Sequence, residues 1–313
     1  MWRLRQIEAV AFRKGEVAMA VEHAIKSGYR HIDCAWAYQN EGEVGEGIRK
    51  AGVPRQELFL TSKLFECHHH PEHVELAVKD TLKKLGTDYL DLYLMHWNMD
   101  APPGVLPLKE HCVKADNGKN KLDLALCDDV TPTWQAMEKL VDQGLCKSIG
   151  VSNFNINRTK QVLKIARIKP VVDQVELSLQ CPQVELVTWL KKNDILPEAY
   201  SPLGSTAGKS LRENKVITSI AEKHQVNGPS VLISWLLKRG ILPLPKSVTP
   251  HRIEANSKTV DLTDEEYDQI EKLAESHPPN RVCDQSDSFE PFYDIYQEKH
   301  PKFSDKAMFA QES

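Results

Sequence analysis

The stretch Arg30-His-Ile-Asp33-Cys-Ala-Trp-Ala-Tyr38-Gln-Asn40 decides how this chain folds. Residues 30–35 follow a Ser27-Gly28 helix stop and are apolar where packing demands it, so they read as a buried strand. Asp33 lies inside that strand, and Tyr38 falls in the loop beyond its end. A carboxylate on a buried strand is costly unless it is paired. Asp33 therefore calls for a cationic partner from elsewhere in the chain. The next strand, residues 58–64, offers Lys63 near its C-terminal end, and the strand after that ends in Met95-His96-Trp97. Three consecutive strands deliver polar chemistry at the same end, which is how an active site is laid out on a parallel sheet.

Outward from this stretch, strands and helices alternate. Val17, Val21, Ala24 and Ile25 recur at helical spacing before Gly28, and Val74, Val78, Leu82 and Leu85 form a second stripe over residues 71–85. Further strands are predicted at residues 90–97, 146–151, 171–177, 195–203 and 241–248. Helices are predicted at 43–50, 156–166, 182–192, 213–224, 229–239 and 250–257. Thr131-Pro132 reads as the N-cap and first-turn proline of another helix, and Thr263-x-x-Glu266 as a capping box opening one at 264–276. Residues 98–130 are rich in Pro, Gly, Asp and Asn, and so long a loop in a compact domain is usually functional. The tail from Pro278 reads as polar and irregular.

This alternation predicts an α/β fold, a (β/α)8 TIM barrel built as one domain over residues 1–313. Seven strands are readable from Arg30 onward, and a barrel needs eight. The first must then lie before Gly15, where only residues 6–12 are available.

Composition narrows the function classes. A chain of 313 residues with 41% hydrophobic residues and a net charge of -4 can bury one large core, and its charge is too balanced for nucleic acid or a membrane surface. No apolar run approaches the ~20 residues that span a bilayer, and the N-terminus shows no signal-peptide apolar region. Seven cysteines without a C-x-x-C pair fit reduced thiols in a cytoplasmic protein, expected to be a monomer. The sequon Asn157-Arg-Thr159 is taken as chance.

Several motifs occur together: Gly-Tyr-Arg-His-Ile-Asp33-Cys-Ala-Trp-Ala-Tyr38, Thr-Ser-Lys63-Leu, Leu-Asp-Leu-Tyr-Leu-Met-His96-Trp97, Gly150-Val-Ser152-Asn153-Phe154, Asp173-Gln174-Val-Glu176, Ala-Tyr200-Ser201-Pro-Leu203-Gly204-Ser205 and Pro245-Lys246-Ser247-Val248-Thr249-Pro. In these the sequence resembles the aldo-keto reductases, nearest their aldose reductase branch, from about Gly15 to Arg281. The resemblance implies a barrel that reduces aldehydes or ketones with NADPH, and a catalytic tetrad of Asp33, Tyr38, Lys63 and His96. The chemistry of the residues agrees. Hydride delivery to a carbonyl leaves an alkoxide that must take a proton, and a tyrosine of pKa near 10 is a poor donor unless an ammonium stabilises its phenolate. Lys63 can do this for Tyr38 while Asp33 balances its charge, and His96 can hydrogen-bond the substrate oxygen.

No strand-linked G-x-G-x-x-G is present, because the glycines at 42, 45 and 47 lie on an acidic helix. Lys246-Ser247-Val248-Thr249 instead leads into a helix start at Pro250 with Arg252 in its first turn, an anion site suited to the extra phosphate of NADPH. The resemblance implies that Ser152, Asn153 and Gln174 hold the carboxamide and that Tyr200 stacks on the nicotinamide. It extends the cofactor set to Ser201, Leu203 and Ser205. It places Lys246, Ser247, Val248, Thr249, Arg252 and Asn256 at the adenosine 2′-phosphate end. Ala255 departs from the family, standing where an acidic or amide residue often meets adenine.

Two other readings compete. Cys67-His68-His69-His70, with His73 nearby, invites a metal, but adjacent ligands on one loop rarely converge on one ion, so a solvated loop and no metal are expected. A non-catalytic aldo-keto reductase-like binding or structural protein is the other, and an intact tetrad argues against it. Phe65, His96 and Trp97 are the candidate substrate residues for a small carbonyl compound, and the pattern does not choose among sugar, steroid and lipid carbonyls. Asn98 stands where proline is usual after His96-Trp97, and Leu177-Ser178 where Cys-His is usual. The family's N-terminal hairpin and its Gly-x-Gly-Thr-Trp first-strand motif have no counterpart here. A missing or atypical first strand is therefore expected, with residues 1–12 filling the gap imperfectly in a variant or truncated N-terminus.

Overall fold

A computed structural model describes residues 6–8, 15–101, 112–205 and 208–296 of the chain, the first of these runs by backbone alone. Strand β1 (Gln6–Glu8) is followed by α1 (Glu16–Lys26), β2 (His31–Asp33), α2 (Glu41–Ala51), β3 (Phe59–Leu64), α3 (Pro71–Leu85) and β4 (Leu92–Met95). Next come β5 (Asn120–Lys121), α4 (Leu124–Asp128), α5 (Thr131–Asp142), β6 (Ile149–Ser152), α6 (Ile156–Ile165), β7 (Val172–Glu176), α7 (Val184–Lys192) and β8 (Leu196–Tyr200). Then follow α8 (Lys209–Arg212), α9 (Lys215–Lys223), α10 (Gly228–Lys238), β9 (Leu242–Pro243), α11 (Pro250–Asn256), α12 (Asp264–Glu275) and β10 (Phe289–Glu290). This is an α/β fold. Eight strands form one sheet in the order β1-β2-β3-β4-β6-β7-β8-β9.

The predicted elements are present with most ends shifted by a few residues at most, while α2 extends past both of its expected ends and β9 stops at Pro243, well short of 248. The expected absence of a first strand is corrected: β1 lies inside the only available stretch and pairs in parallel with β2, Gln6 opposite His31 and Glu8 opposite Asp33. It is three residues long. The missing hairpin concerns residues that lie mostly outside those described. The N-cap of α5 is Val130 rather than Thr131, which becomes its first helical residue. The segment 98–130 is not structureless, since it carries β5 and α4. Nor is the tail irregular throughout: its β10 pairs in parallel with β5, Phe289 opposite Asn120.

The chain divides into two compact units, the first made of Met1–Cys34, Gly42–Leu60 and Gln174–Cys283. In it α1 buries Val17, Val21, Ala24 and Ile25, the stripe read from the sequence. Gly47 explains one of the glycines of α2, because a Cβ there would sit 2.5 Å from the Ala18 carbonyl oxygen of α1. Only a residue without a side chain lets the two helices approach so closely. In α12 the Thr263–Glu266 capping box forms in both directions. Glu266 also gathers Lys223 and His224.

The second unit comprises Ala35–Glu41, Thr61–Asp173 and Asp284–Ser313. Here β3, β4 and β6 run in parallel, with Lys63 opposite Leu94 and Leu94 opposite Gly150. A Cβ on Gly150 would meet the Val172 carbonyl oxygen at 2.7 Å and Leu94 at 2.8 Å, so this strand position requires glycine. Beyond the strand ends, Trp97, Met99, Leu122, Phe289, Tyr293 and Ile295 form an apolar cluster, with Phe65 and Tyr296 packed against it.

Two expectations fail in this unit. Cys67 and Cys112 are joined in a disulfide, so the cysteines are not all reduced. The partners are 45 residues apart, a separation that neighbour-spacing rules do not sense. The Cys-His-His-His loop is not solvated either: Cys67, His68 and His69 are buried. His69 pairs with Asp100 at 2.5 Å and His70 with Asp123 at 2.9 Å, acidic partners supplied from far along the chain.

Candidate active site

The two units each hold part of the residues singled out from the sequence. In the second, Tyr38 ends a single helical turn, Trp36–Tyr38, just after β2. Lys63 is the penultimate residue of β3, and His96 directly follows β4. The Lys63 ammonium lies 5.5 Å from the centre of the Tyr38 ring, and the Tyr38 and His96 rings are 5.8 Å apart, edge to face. Lys63 is 1% exposed and His96 7%. A buried ammonium beside a phenol favours the phenolate over the phenol.

Burial, then the charges of Lys63 and His69, hold the His96 imidazole well below its ordinary pKa. His96 is therefore neutral across the physiological range and can donate a hydrogen bond, but it is no store of an acidic proton.

Ser152 ends β6, and Asn153 follows it with φ of 60°, a left-handed conformation that asparagine tolerates better than most residues. The Asn153 amide nitrogen donates to the His96 carbonyl at 2.9 Å and to Ser152 Oγ at 3.2 Å. Its Oδ1 accepts from the Tyr296 hydroxyl at 3.3 Å. Phe65 stacks on Trp36 at 5.6 Å, and Trp97 lies 6.0 Å from His96 within the apolar cluster.

In the first unit, Asp33 ends β2 fully buried, and Gln174 of β7 donates one amide hydrogen to Asp33 Oδ2 at 2.9 Å. The other hydrogen goes to Glu198 Oε2 at 2.8 Å. Glu198 escaped the sequence reading. Its signal was there, because it sits two residues before Tyr200 on β8, where alternation turns both to one face. Tyr200 itself is buried.

The remaining cofactor candidates follow β8 and β9. Ser201 and Ser205 adopt left-handed φ values of 49° and 51°, which mark a tightly specified loop. Arg212 of α8 donates to the carbonyls of Leu203 and Ser205 and so fixes that loop's shape. Sequence reasoning missed Arg212 as well. Burial and the nearby Arg252 guanidinium hold Arg212 below its ordinary pKa, although Glu213 opposes them. Arg252 and Lys246 are exposed, Asn256 is buried, and Ser247 Oγ accepts from the Thr249 N–H at 3.1 Å. These residues fit a dinucleotide with an additional phosphate. Val248 is half-buried beside them.

Comparison with known proteins decides the family. The sequence profile of the aldo/keto reductase family matches residues 1–275. The chain belongs to the aldo/keto reductase family. This aldo/keto reductase is 41% identical over 287 residues to glycerol 2-dehydrogenase (NADP(+)) of Hypocrea jecorina, spanning 88% of this chain and 89% of that protein. Among solved structures it is similar to the aldose reductase of Schistosoma japonicum, with 34% identity, a TM-score of 0.83, and coverage of 98% of this chain and 95% of that one. A Bombyx mori aldo-keto reductase solved in complex with NADP is also 34% identical, with a TM-score of 0.78 and coverage of 90% and 91%.

Proposed function

We propose that this aldo/keto reductase reduces aldehydes and ketones to alcohols with NADPH, with Tyr38 as the general acid. NADPH, when bound, supplies the hydride. The observation that carries the assignment is the buried Lys63 ammonium 5.5 Å from the Tyr38 ring. It lowers the cost of leaving a phenolate once Tyr38 has passed its proton to the substrate oxygen. His96, neutral because of burial and its cationic neighbour, orients that oxygen by hydrogen bonding. Asp33, fixed by Gln174, is assigned to balance the charge of Lys63.

Ser152, Asn153 and Gln174 are assigned to the nicotinamide carboxamide, Tyr200 to the ring face, and Ser201, Leu203 and Ser205 to the diphosphate. Lys246, Ser247, Val248, Thr249, Arg252 and Asn256 are assigned to the adenosine 2′-phosphate end. The NADP(+) in the name of the Hypocrea relative and the NADP of the Bombyx complex support this cofactor. Phe65 and Trp97 are assigned to an apolar substrate wall, which favours broad aldehyde reduction. The eight-strand order supports reading the fold as a (β/α)8 barrel.

The test is Tyr38→Phe, assayed with NADPH and 4-nitrobenzaldehyde beside a direct NADPH titration. Loss of the acid should lower turnover at least about 10²-fold. NADPH affinity should stay within about twofold, since no hydrogen bond to the cofactor is removed. Wild-type turnover in the variant would refute the role of Tyr38. No turnover by the wild type despite tight NADPH binding would instead favour a binding protein.

A further inference from the structure

A loop that binds an anion must keep its carbonyl oxygens away from it, because their partial negative charge repels it. In the loop assigned to the cofactor diphosphate, residues 201–205, most carbonyls are already taken up by the protein. The Ser201 carbonyl accepts from the Gly204 N–H at 2.9 Å. The Gly204 carbonyl accepts from the Gly208 N–H at 2.7 Å and from Gln180 Nε2 at 3.4 Å. The carbonyls of Leu203 and Ser205 both accept from one atom, Arg212 Nη1, the second at 3.0 Å. Two of these carbonyls therefore depend on a single side chain.

The backbone of this loop is also strained. Ser201, Gly204 and Ser205 hold positive φ values of 49°, 73° and 51°. For the two serines such a conformation persists only where the surroundings over-determine it. Gly208 supplies part of that constraint. A Cβ there would lie 2.3 Å from the Leu203 carbonyl oxygen and 2.7 Å from the Gly204 Cα, so the chain doubles back at a contact that only glycine permits. Arg212 supplies another part, since hydrogen bonds from a charged donor are the strong ones. It is half-buried, whereas Ser205 is exposed.

We propose that Arg212 is a positioning residue for the cofactor diphosphate, one that draws the Leu203 and Ser205 carbonyls away from the phosphates and fixes the loop that receives them. The proposal rests on the reading that residues 201–205 hold the diphosphate.

The full chain is compared with Arg212→Met, which keeps the aliphatic stem and loses both the donors and the charge. Two ligands are titrated: NADPH, and adenosine 2′-monophosphate, which carries the 2′-phosphate and no diphosphate. Losing two charge-assisted hydrogen bonds should weaken NADPH by roughly ten- to hundredfold. Adenosine 2′-monophosphate should bind within about twofold of wild type, as an independent site does. Turnover at saturating NADPH should not fall, because Arg212 is assigned no contact with a reacting atom. Arg212→Gln, a polar residue at a half-buried position, should show the same selective loss, and it decides the matter if the methionine variant does not fold. Unchanged NADPH affinity in the folded variants overturns the proposal. So does equal weakening of the two ligands, which a general loosening of the fold would give. A double variant, Ser201→Ala with Ser205→Ala, tests the underlying reading. If it binds NADPH as wild type does, the diphosphate assignment fails and the proposal with it. If it binds NADPH weakly while Arg212→Met does not, the proposal alone fails.

Discussion

Glu66 illustrates how much one side chain decides. It lies two residues past β3, is 4% exposed, and its Oε2 has no hydrogen-bond partner among the described residues. Burial pushes its carboxyl from 4.5 up to about 7, against its own backbone N–H and His69, while Asp100 pushes the same way as burial. The folded state thus holds a proton that the unfolded chain has released between about pH 4.5 and 7. Stability should fall as pH rises through that window and then level off, by about 3 kcal/mol in all. Glu66→Gln keeps the shape and removes the charge. Urea unfolding at pH 5 and pH 8 should show the variant closer to wild type at pH 5 and more stable at pH 8. Parallel pH profiles for the two proteins would show that Glu66 does not carry the effect.

Elements were legible where periodicity governed them, and connections were not. Helix α3 was read to the residue because Val74, Val78, Leu82 and Leu85 face the core and Gly86 ends it in a left-handed turn. The positions of Asp33, Lys63 and His96, at or just after strand ends that hydrophobic runs locate, were legible, and Tyr38 follows in the turn after β2. Arg212 was not legible, since its meaning comes from partners that only tertiary folding supplies. The loop carrying Cys67 was misread for the same reason, its disulfide and acidic partners lying from Asp100 onward. That disulfide spans 45 residues, and closing so long a loop removes unfolded-state entropy worth about 4 kcal/mol in the chain-entropy relation. Cys112→Ala should lower unfolding free energy by roughly 2–4 kcal/mol, measured in urea without reductant. Wild type with a dithiol reductant should show the same loss. A variant as stable as the oxidised wild type would mean that the crosslink constrains nothing in solution.

At the scale of the whole molecule, neither compact unit is a continuous stretch of chain. Each is assembled from three segments, and β3 and β7 both pass from one unit into the other. Independently folding domains are usually continuous and joined by exposed linkers, whereas here the boundaries cut through strands, whose hydrogen-bond ladders are costly to leave unmade. We infer that the chain unfolds as one domain. Tryptophan fluorescence and far-UV circular dichroism should therefore report one coincident urea transition. The tryptophans sample both units, since Trp36, Trp97 and Trp134 lie in the second and Trp189 and Trp235 in the first. NADPH at about a hundred times its dissociation constant should move that single transition by about 2.7 kcal/mol, because only the folded chain binds it. Two separated transitions, with NADPH shifting one of them alone, would show that the units fold apart and that the single-domain reading is wrong.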